Sequence, residues 1–331
     1  MAFTSFTPWS ASLSQPEYLL TLYFIVVAAL ALLTGFFRTL VTQREVGAHF
    51  RPATVARLAV TAVATVSYAV ILVGFLNGYD RVGALYVPND GAIISFALRY
   101  MDWSITVPLL TIELMAVVTF TGARIRRARF IAAGAALLMI FTGFLGAIIV
   151  PSEVGAVGGD ATAGLLLWGG ISCVFWIVTN VVLIRAVRAS FDELTPASAQ
   201  LLRTATVLLL SGWALYPIVY IIQVFGNGGA WATAMQITLC VADVVVKIGF
   251  GTLIHRVAKL RTAEDVRAGR DVHPESIWIS SVKQSDAGLA REVYLAEGAA
   301  VHARRARPPM GAAVPAAPQP ADEGSESSSD D

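Results

Sequence analysis

Charge is what this chain has least of. Only 14% of its 331 residues are Asp, Glu, Lys or Arg, while 56% are hydrophobic. So dry a composition excludes an ordinary soluble domain and marks a membrane protein. The two signs nearly cancel at a net charge of +1, so no overall field draws the chain to nucleic acid. The two cysteines, Cys173 and Cys240, both fall in apolar stretches. They exclude a disulfide framework and a metal cluster, and they read as small buried hydrophobes. No basic region precedes the first apolar run, so no cleavable signal peptide is expected. Lysine is scarce as well. Of Lys247, Lys259 and Lys283, only Lys247 lies inside a long apolar stretch.

Seven stretches are long enough to cross about 30 Å of hydrocarbon as helices of roughly 20 residues. They lie near 17–37, 53–77, 92–119, 128–150, 163–188, 199–225 and 230–257. Gly-, Pro- or charge-marked breaks separate them, such as Asn77-Gly78-Tyr79-Asp80 and Pro151-Ser152-Glu153. The expected fold is an all-α, seven-transmembrane helix bundle.

Arginines sort onto alternate loops. Arg38, Arg44 and Arg51 follow the first span, and Arg124, Arg126, Arg127 and Arg129 follow the third. Arg185 and Arg188 close the fifth, and Arg256, Lys259 and Arg261 follow the seventh. The intervening loops carry Asp80, Arg81, Asp90, Glu153 and Asp160. The positive-inside rule therefore puts the N-terminus outside and the C-terminus in the cytoplasm, in the cell membrane. Residues 1–261 form the bundle, and 262–331 form a cytoplasmic tail. The tail keeps apolar residues such as Ile277, Trp278 and Tyr294 to about 300, then turns Pro/Ala-rich and finally Ser- and acid-rich, which predicts disorder at its end. It reads as a solvated tail or as a docking segment for a cytoplasmic partner.

Lys247 stands four residues after Asp243 in the last span. A charge placed mid-bilayer is costly, so an intramembrane ionisable residue is a functional hypothesis by default. An amine beside a carboxylate on one helix face can be held as a covalent Schiff base with its counter-ion ready. The third span supplies a matching stripe. Arg99, Asp102, Thr106 and Glu113 share one face at 3.6 residues per turn. Asp102 to Glu113 is about 16 Å of rise, a line of protonatable groups along the membrane normal. Polar glue between helices is the alternative reading.

Three motifs carry a resemblance to a known family. The third span reads Arg99-Tyr100-Met101-Asp102-Trp103, then Thr106, Pro108, Leu109 and Leu110. The sixth reads Trp213-Ala214-Leu215-Tyr216-Pro217-Ile218-Val219-Tyr220, and the seventh holds Asp243 and Lys247. In this the chain resembles the microbial (type I) rhodopsins over all seven spans, with Tyr220 where the family carries tryptophan.

The resemblance implies all-trans retinal, held on Lys247 as a protonated Schiff base with Asp102 and Asp243 as counter-ions. Asp102 would be the primary proton acceptor. Arg99 would order a water network on the extracellular side. Trp103 and Trp213 would sandwich the polyene, with Tyr100, Met139, Gly143, Ser172, Trp176, Tyr216, Pro217 and Tyr220 completing the pocket. Leu110 stands at the family's colour-tuning position. Gly169 stands where some members admit a carotenoid antenna, and it reads equally as a small residue for helix packing. Family members are commonly homo-oligomers, trimers or pentamers, and sensory members use a cytoplasmic transducer. No enzyme and no metal are expected.

The Asp102-Thr106-Glu113 triplet resembles outward proton pumps, with Glu113 as cytoplasmic proton donor. Three features depart from a plain pump. Ser67-Tyr68 stands where many such pumps carry histidine, residues 221–242 contain no glutamate, and Arg57 lies one turn inside the second span at the depth of Glu113. An arginine there snorkels or finds a carboxylate. Paired with Glu113, it would favour the ionised acid, which cannot donate. The deprotonated form would then accumulate. An arginine at this position resembles the cryorhodopsins, which implies a slow photocycle and a photosensor with weak proton translocation. An outward proton pump is the alternative.

Overall fold

The computed structural model describes residues 7–156 and 161–269. Expectations for the tail from 270 onward lie outside the described residues.

Seven long helices account for most of the described residues. The first is Gln15–Thr42, the second Arg51–Asn77 and the third Ile94–Met115. The fourth runs Gly122–Phe144, through a π-helical turn Leu145–Ile149, into Val150–Ala156. The fifth is Thr162–Arg188 and the sixth Pro196–Phe225. The seventh runs Gly228–Val244, through a π-helical turn Val245–Phe250, into Gly251–Arg267. Six of these are apolar and long enough to cross a membrane. The third is equally helical, but Arg99, Asp102 and Glu113 interrupt its hydropathy. The chain is thus a multi-pass, seven-helix membrane protein.

Local chemistry sets the helix starts. Glu17 accepts hydrogen bonds from the Ser14 backbone N–H at 2.7 Å and the Ser14 hydroxyl at 2.8 Å, securing the first turn. Thr195 caps the sixth helix by accepting from the Ser198 N–H at 3.3 Å, with Pro196 following. The seventh helix continues ten residues past the expected 257, because its polar last turns run on beyond the apolar stretch and dock. There Glu264 accepts from the hydroxyls of Thr195 at 2.5 Å and Ser198 at 2.8 Å.

The all-α expectation needs one addition. Three short strands, β1 (Leu13–Ser14), β2 (Tyr79–Val82) and β3 (Leu85–Pro88), form an antiparallel sheet in the order β1-β3-β2. Gly83, at φ +62°, makes the β2–β3 turn. Tyr18 fastens this cap to the bundle. It stacks on Tyr86 at 3.9 Å and on Phe75 at 4.9 Å. The sheet marks the hairpin end of the bundle; the loop arginines mark the other.

Side chains sort as a lipid solvent demands. Phe130, Val41, Leu167 and Val66 point outward, while the charged stripe of the third helix faces the bundle interior. Cys173 departs from expectation: it is exposed on the outer face of the fifth helix, and only Cys240 is buried.

Candidate functional site

The centre of the bundle is an amine between two acids. The π-helical turn of the seventh helix carries Lys247, 1% exposed. Such turns are rare and concentrate at functional sites. Lys247 Nζ contacts Asp102 Oδ2 directly and lies 3.5 Å from Asp243 Oδ2. A buried cation needs such compensation.

The two acids are held differently. Asp243 accepts three hydrogen bonds: from Tyr68 Oη at 2.9 Å, Trp103 Nε1 at 3.0 Å and Tyr216 Oη at 2.7 Å. Asp102 has Lys247 on one oxygen, and its Oδ1 is buried with no hydrogen-bond partner. The Thr106 hydroxyl donates to the Asp102 backbone carbonyl at 3.0 Å.

Toward the hairpin end lies Arg99, fully buried. Its Nε and Nη2 donate to Gln236 Oε1 at 3.0 and 2.6 Å, and its Nη1 donates to Tyr68 Oη at 2.9 Å. Nη2 also lies 3.3 Å from Cys240 Sγ, and Nη1 lies 3.9 Å from Asp243 Oδ2. Gln236 and Tyr68 thus fix the Arg99 guanidinium from two other helices. Tyr68, Gln236 and Cys240 were not anticipated as site residues. A signal for two of them was available: Gln236 and Cys240 lie seven and three residues before Asp243, on its helix face.

Beside this centre is a cavity of about 450 Å³. All ten of the expected pocket residues on helices three to six, apart from Leu110, line it: Tyr100, Trp103, Met139, Gly143, Ser172, Trp176, Trp213, Tyr216, Pro217 and Tyr220. Trp103 sits edge-on to Tyr216 at 4.9 Å between ring centres. These two rings bond Asp243, so the cavity wall and the shell of the ion centre are the same side chains. The Ser172 hydroxyl donates to the Met139 carbonyl at 2.8 Å, tying the fifth helix to the fourth. Leu110 is buried in the core and does not line the cavity. Gly169 does line it, but the Tyr220 ring covers its backbone: an added Cβ would lie 2.6 Å from Tyr220 Cε1.

Toward the arginine-rich end, Glu113 and Arg57 are 1% and 3% exposed. Both Glu113 carboxylate oxygens and Arg57 Nε and Nη1 lack hydrogen-bond partners. The two groups are near enough for their charges to interact, but no ion pair joins them. The direct Arg57–Glu113 pairing anticipated from depth is therefore not made. Nor does Arg57 snorkel: its stem packs on Gly251 of the seventh helix, where an added Cβ would lie 3.3 Å from Arg57 Cγ, Cδ and Nε.

Seven membrane helices enclose a buried amine paired with two carboxylates, with an aromatic cavity beside them. A family model described as bacteriorhodopsin-like protein matches residues 19–260, and the chain belongs to that family. Archaerhodopsin-3 of Halorubrum sodomense is 28% identical over 202 residues, 60% of this chain and 73% of that protein. Sensory rhodopsin-2 of Haloarcula vallismortis is 28% identical over 200 residues, 59% of this chain and 73% of that protein. The crystal structure of xanthorhodopsin, described as a light-driven ion pump with dual chromophore, superposes with a TM-score of 0.68. It is 27% identical and covers 77% of this chain and 98% of its own. The family binds retinal through a lysine Schiff base, sits in the plasma membrane and includes both pumps and sensors.

Proposed function

We propose that this protein is a retinal photoreceptor of the cell membrane with a slow photocycle, using Schiff-base proton transfer and translocating protons weakly. Lys247 is the attachment point. The residues suit the group: Trp103 and Tyr216 in the wall of a ring-lined cavity bond Asp243, and Asp243 with Asp102 flanks the only buried lysine among the described residues. Retinal bound there supplies light absorption and a proton on the imine nitrogen.

The chain's own groups do the rest. Asp102 accepts the proton, having contact with the amine and an unpartnered second oxygen. Asp243, fixed by two hydroxyls and an indole, remains the standing counter-charge. Arg99 and Tyr68 hold that charge from the hairpin end, taken as extracellular. On the arginine-rich side, taken as cytoplasmic, Glu113 is the donor that returns a proton.

The observation that carries the slow cycle is Arg57. Its buried charge beside Glu113 has no ion-pair partner. A proton returning by this route meets a fixed like charge in a low-dielectric interior, where repulsion is strong. Slow return suits signalling more than transport. Arg57 also underlies the closer likeness to cryorhodopsins. A cytoplasmic transducer and a trimeric or pentameric assembly belong to the same reading, with residues 262–331 as the cytoplasmic tail.

Flash spectroscopy on the retinal-loaded protein tests it. Recovery of the dark absorbance should be far slower than the millisecond scale of ordinary conformational steps, and Arg57→Thr should accelerate it. Millisecond recovery in the native protein, or an unchanged rate in the variant, defeats the slow-receptor reading. The stripe Asp102-Thr106-Glu113 on one buried helix face favours an outward pump as the second reading. Sustained, uncoupler-sensitive acidification of the medium by illuminated cells would select it.

A further inference from the structure

We propose that Glu45 and His255 form the proton-uptake station on the arginine-rich side, passing protons from solvent toward Glu113 around the Arg57 charge. This rests on the proposed role of Glu113 and assigns residues that the retinal centre does not use.

Glu113 has two buried oxygens without partners, so a proton reaching it from that side needs carriers. A built polar cluster lies on that side, at the turn after the first helix. Glu45 closes the short 3-10 turn Gln43–Glu45, and its side chain is 39% exposed. Its Oε2 lies 3.0 Å from His255 Nε2 and accepts from Lys259 Nζ at 2.8 Å. His255 itself is 8% exposed. One carboxylate thus touches water on its outer side and a buried imidazole on its inner side.

His255 leads inward to Arg57. It lies one turn after Gly251, whose bare backbone receives the Arg57 stem. The charges of Arg57, His255 and Glu45 act on one another, and Arg57 acts on Glu113 in turn. Glu45 thus meets His255 at 3.0 Å, His255 stands one turn from the backbone that receives the Arg57 stem, and Glu113 is within reach of the Arg57 charge. Arginine stays protonated and cannot relay. An imidazole can accept a proton on one nitrogen and release one from the other. His255 is the relay and Arg57 the electrostatic gate behind it.

A bracing role is the plain competitor, since Glu45 also ties the first turn to the seventh helix. The two readings differ in kinetics. The charged groups facing His255 are Glu45 from the turn, Lys259 from its own helix and Arg57 from the second helix; Arg38 of the first helix faces Arg57 in turn.

The test uses the full-length, retinal-loaded protein and the variants Glu45→Gln and His255→Gln. Each should leave the dark spectrum unchanged and slow recovery after a flash by about tenfold or more, as loss of a positioned acid–base group does. Added azide, a small permeant acid, should restore the rate. A second readout needs no light. In dark protein with 15N-labelled histidine, Glu45→Gln should shift the ring resonances and titration of His255 and leave His49 unmoved. Unchanged recovery in both variants overturns the proposal. So does slowing that azide does not relieve and that tracks a lower Tm, which is what a brace predicts. If the native protein shows no light-driven proton transfer at all, the proposed function fails instead.

Discussion

Asp102 and Asp243 share one amine but not one environment. Asp243 is clasped by Tyr68, Trp103 and Tyr216, whereas Asp102 has one oxygen on Lys247 and the other without a partner. One acid is held in place by three donors from three helices. The other is free to change its protonation without breaking a network.

The two asparagine variants should therefore diverge. Asp243→Asn leaves two hydroxyls and an indole on a neutral acceptor and takes the nearest carboxylate from Arg99. Breaking a buried charge network of this kind costs about 3–5 kcal/mol. A clear drop in the Tm of the dark protein is expected. Asp102→Asn should keep the fold, because Asp243 still neutralises the cation, and should abolish light-driven proton transfer. Equal melting of the two variants, or transfer persisting without Asp102, would contradict the division of roles.

Lys247→Ala should give a protein that stays colourless with added retinal, since no other lysine among the described residues is buried. It also strands two carboxylates together without their cation, which is destabilising in its own right. The double variant Lys247→Ala/Asp102→Asn should regain thermal stability and remain colourless. A coloured Lys247→Ala protein would mean that retinal attaches elsewhere.

Much of this was legible in the sequence because hydropathy and 3.6-residue spacing act locally. The seven helices, and the stripe Arg99, Asp102, Thr106 and Glu113, follow from a lipid solvent that tolerates charge only on an inner face. What stayed hidden depends on contacts across helices. Nothing in spacing shows that Tyr68 joins Arg99 to Asp243, or that Lys247 sits in a π-helical turn. Depth alone suggested that Arg57 would either snorkel or pair with Glu113. In the fold, Gly251 offers a groove that takes the Arg57 stem, and the two charges stay apart. The sheet at the hairpin end escaped notice because two- and four-residue strands carry no periodic signal.

Gly169 is roofed by Tyr220, whose hydroxyl donates to the Leu165 carbonyl at 2.7 Å. Gly169→Ala forces that ring aside. Overpacking of this sort costs about 1–3 kcal/mol, so the variant should melt earlier and its absorbance should shift. With the ring in place, an added carotenoid should leave the excitation spectrum of the native protein unchanged. A new sensitised band would show that Tyr220 yields the surface to a second pigment.

Tyr68 offers the sharpest probe of the hairpin side. Its hydroxyl receives a hydrogen bond from Arg99 Nη1 and donates one to Asp243 Oδ2, each 2.9 Å long. Among the described residues no other side chain links the two, which stand 3.9 Å apart. Tyr68→Phe removes one oxygen and keeps the ring, which packs beneath the guanidinium at 5.3 Å. Two buried charged groups then lose a partner each, at a cost of about 1–3 kcal/mol for unsatisfied polar atoms. Arg99 can recover part of this by closing directly on Asp243. That shift draws the cation toward the centre, so the dark absorbance should move and release of the proton to the hairpin side should slow. Absorbance and a pH-indicator dye, read after the same flash, check both effects. If neither changes, Arg99 and Asp243 are coupled without Tyr68, and the hydroxyl bridge is structural only.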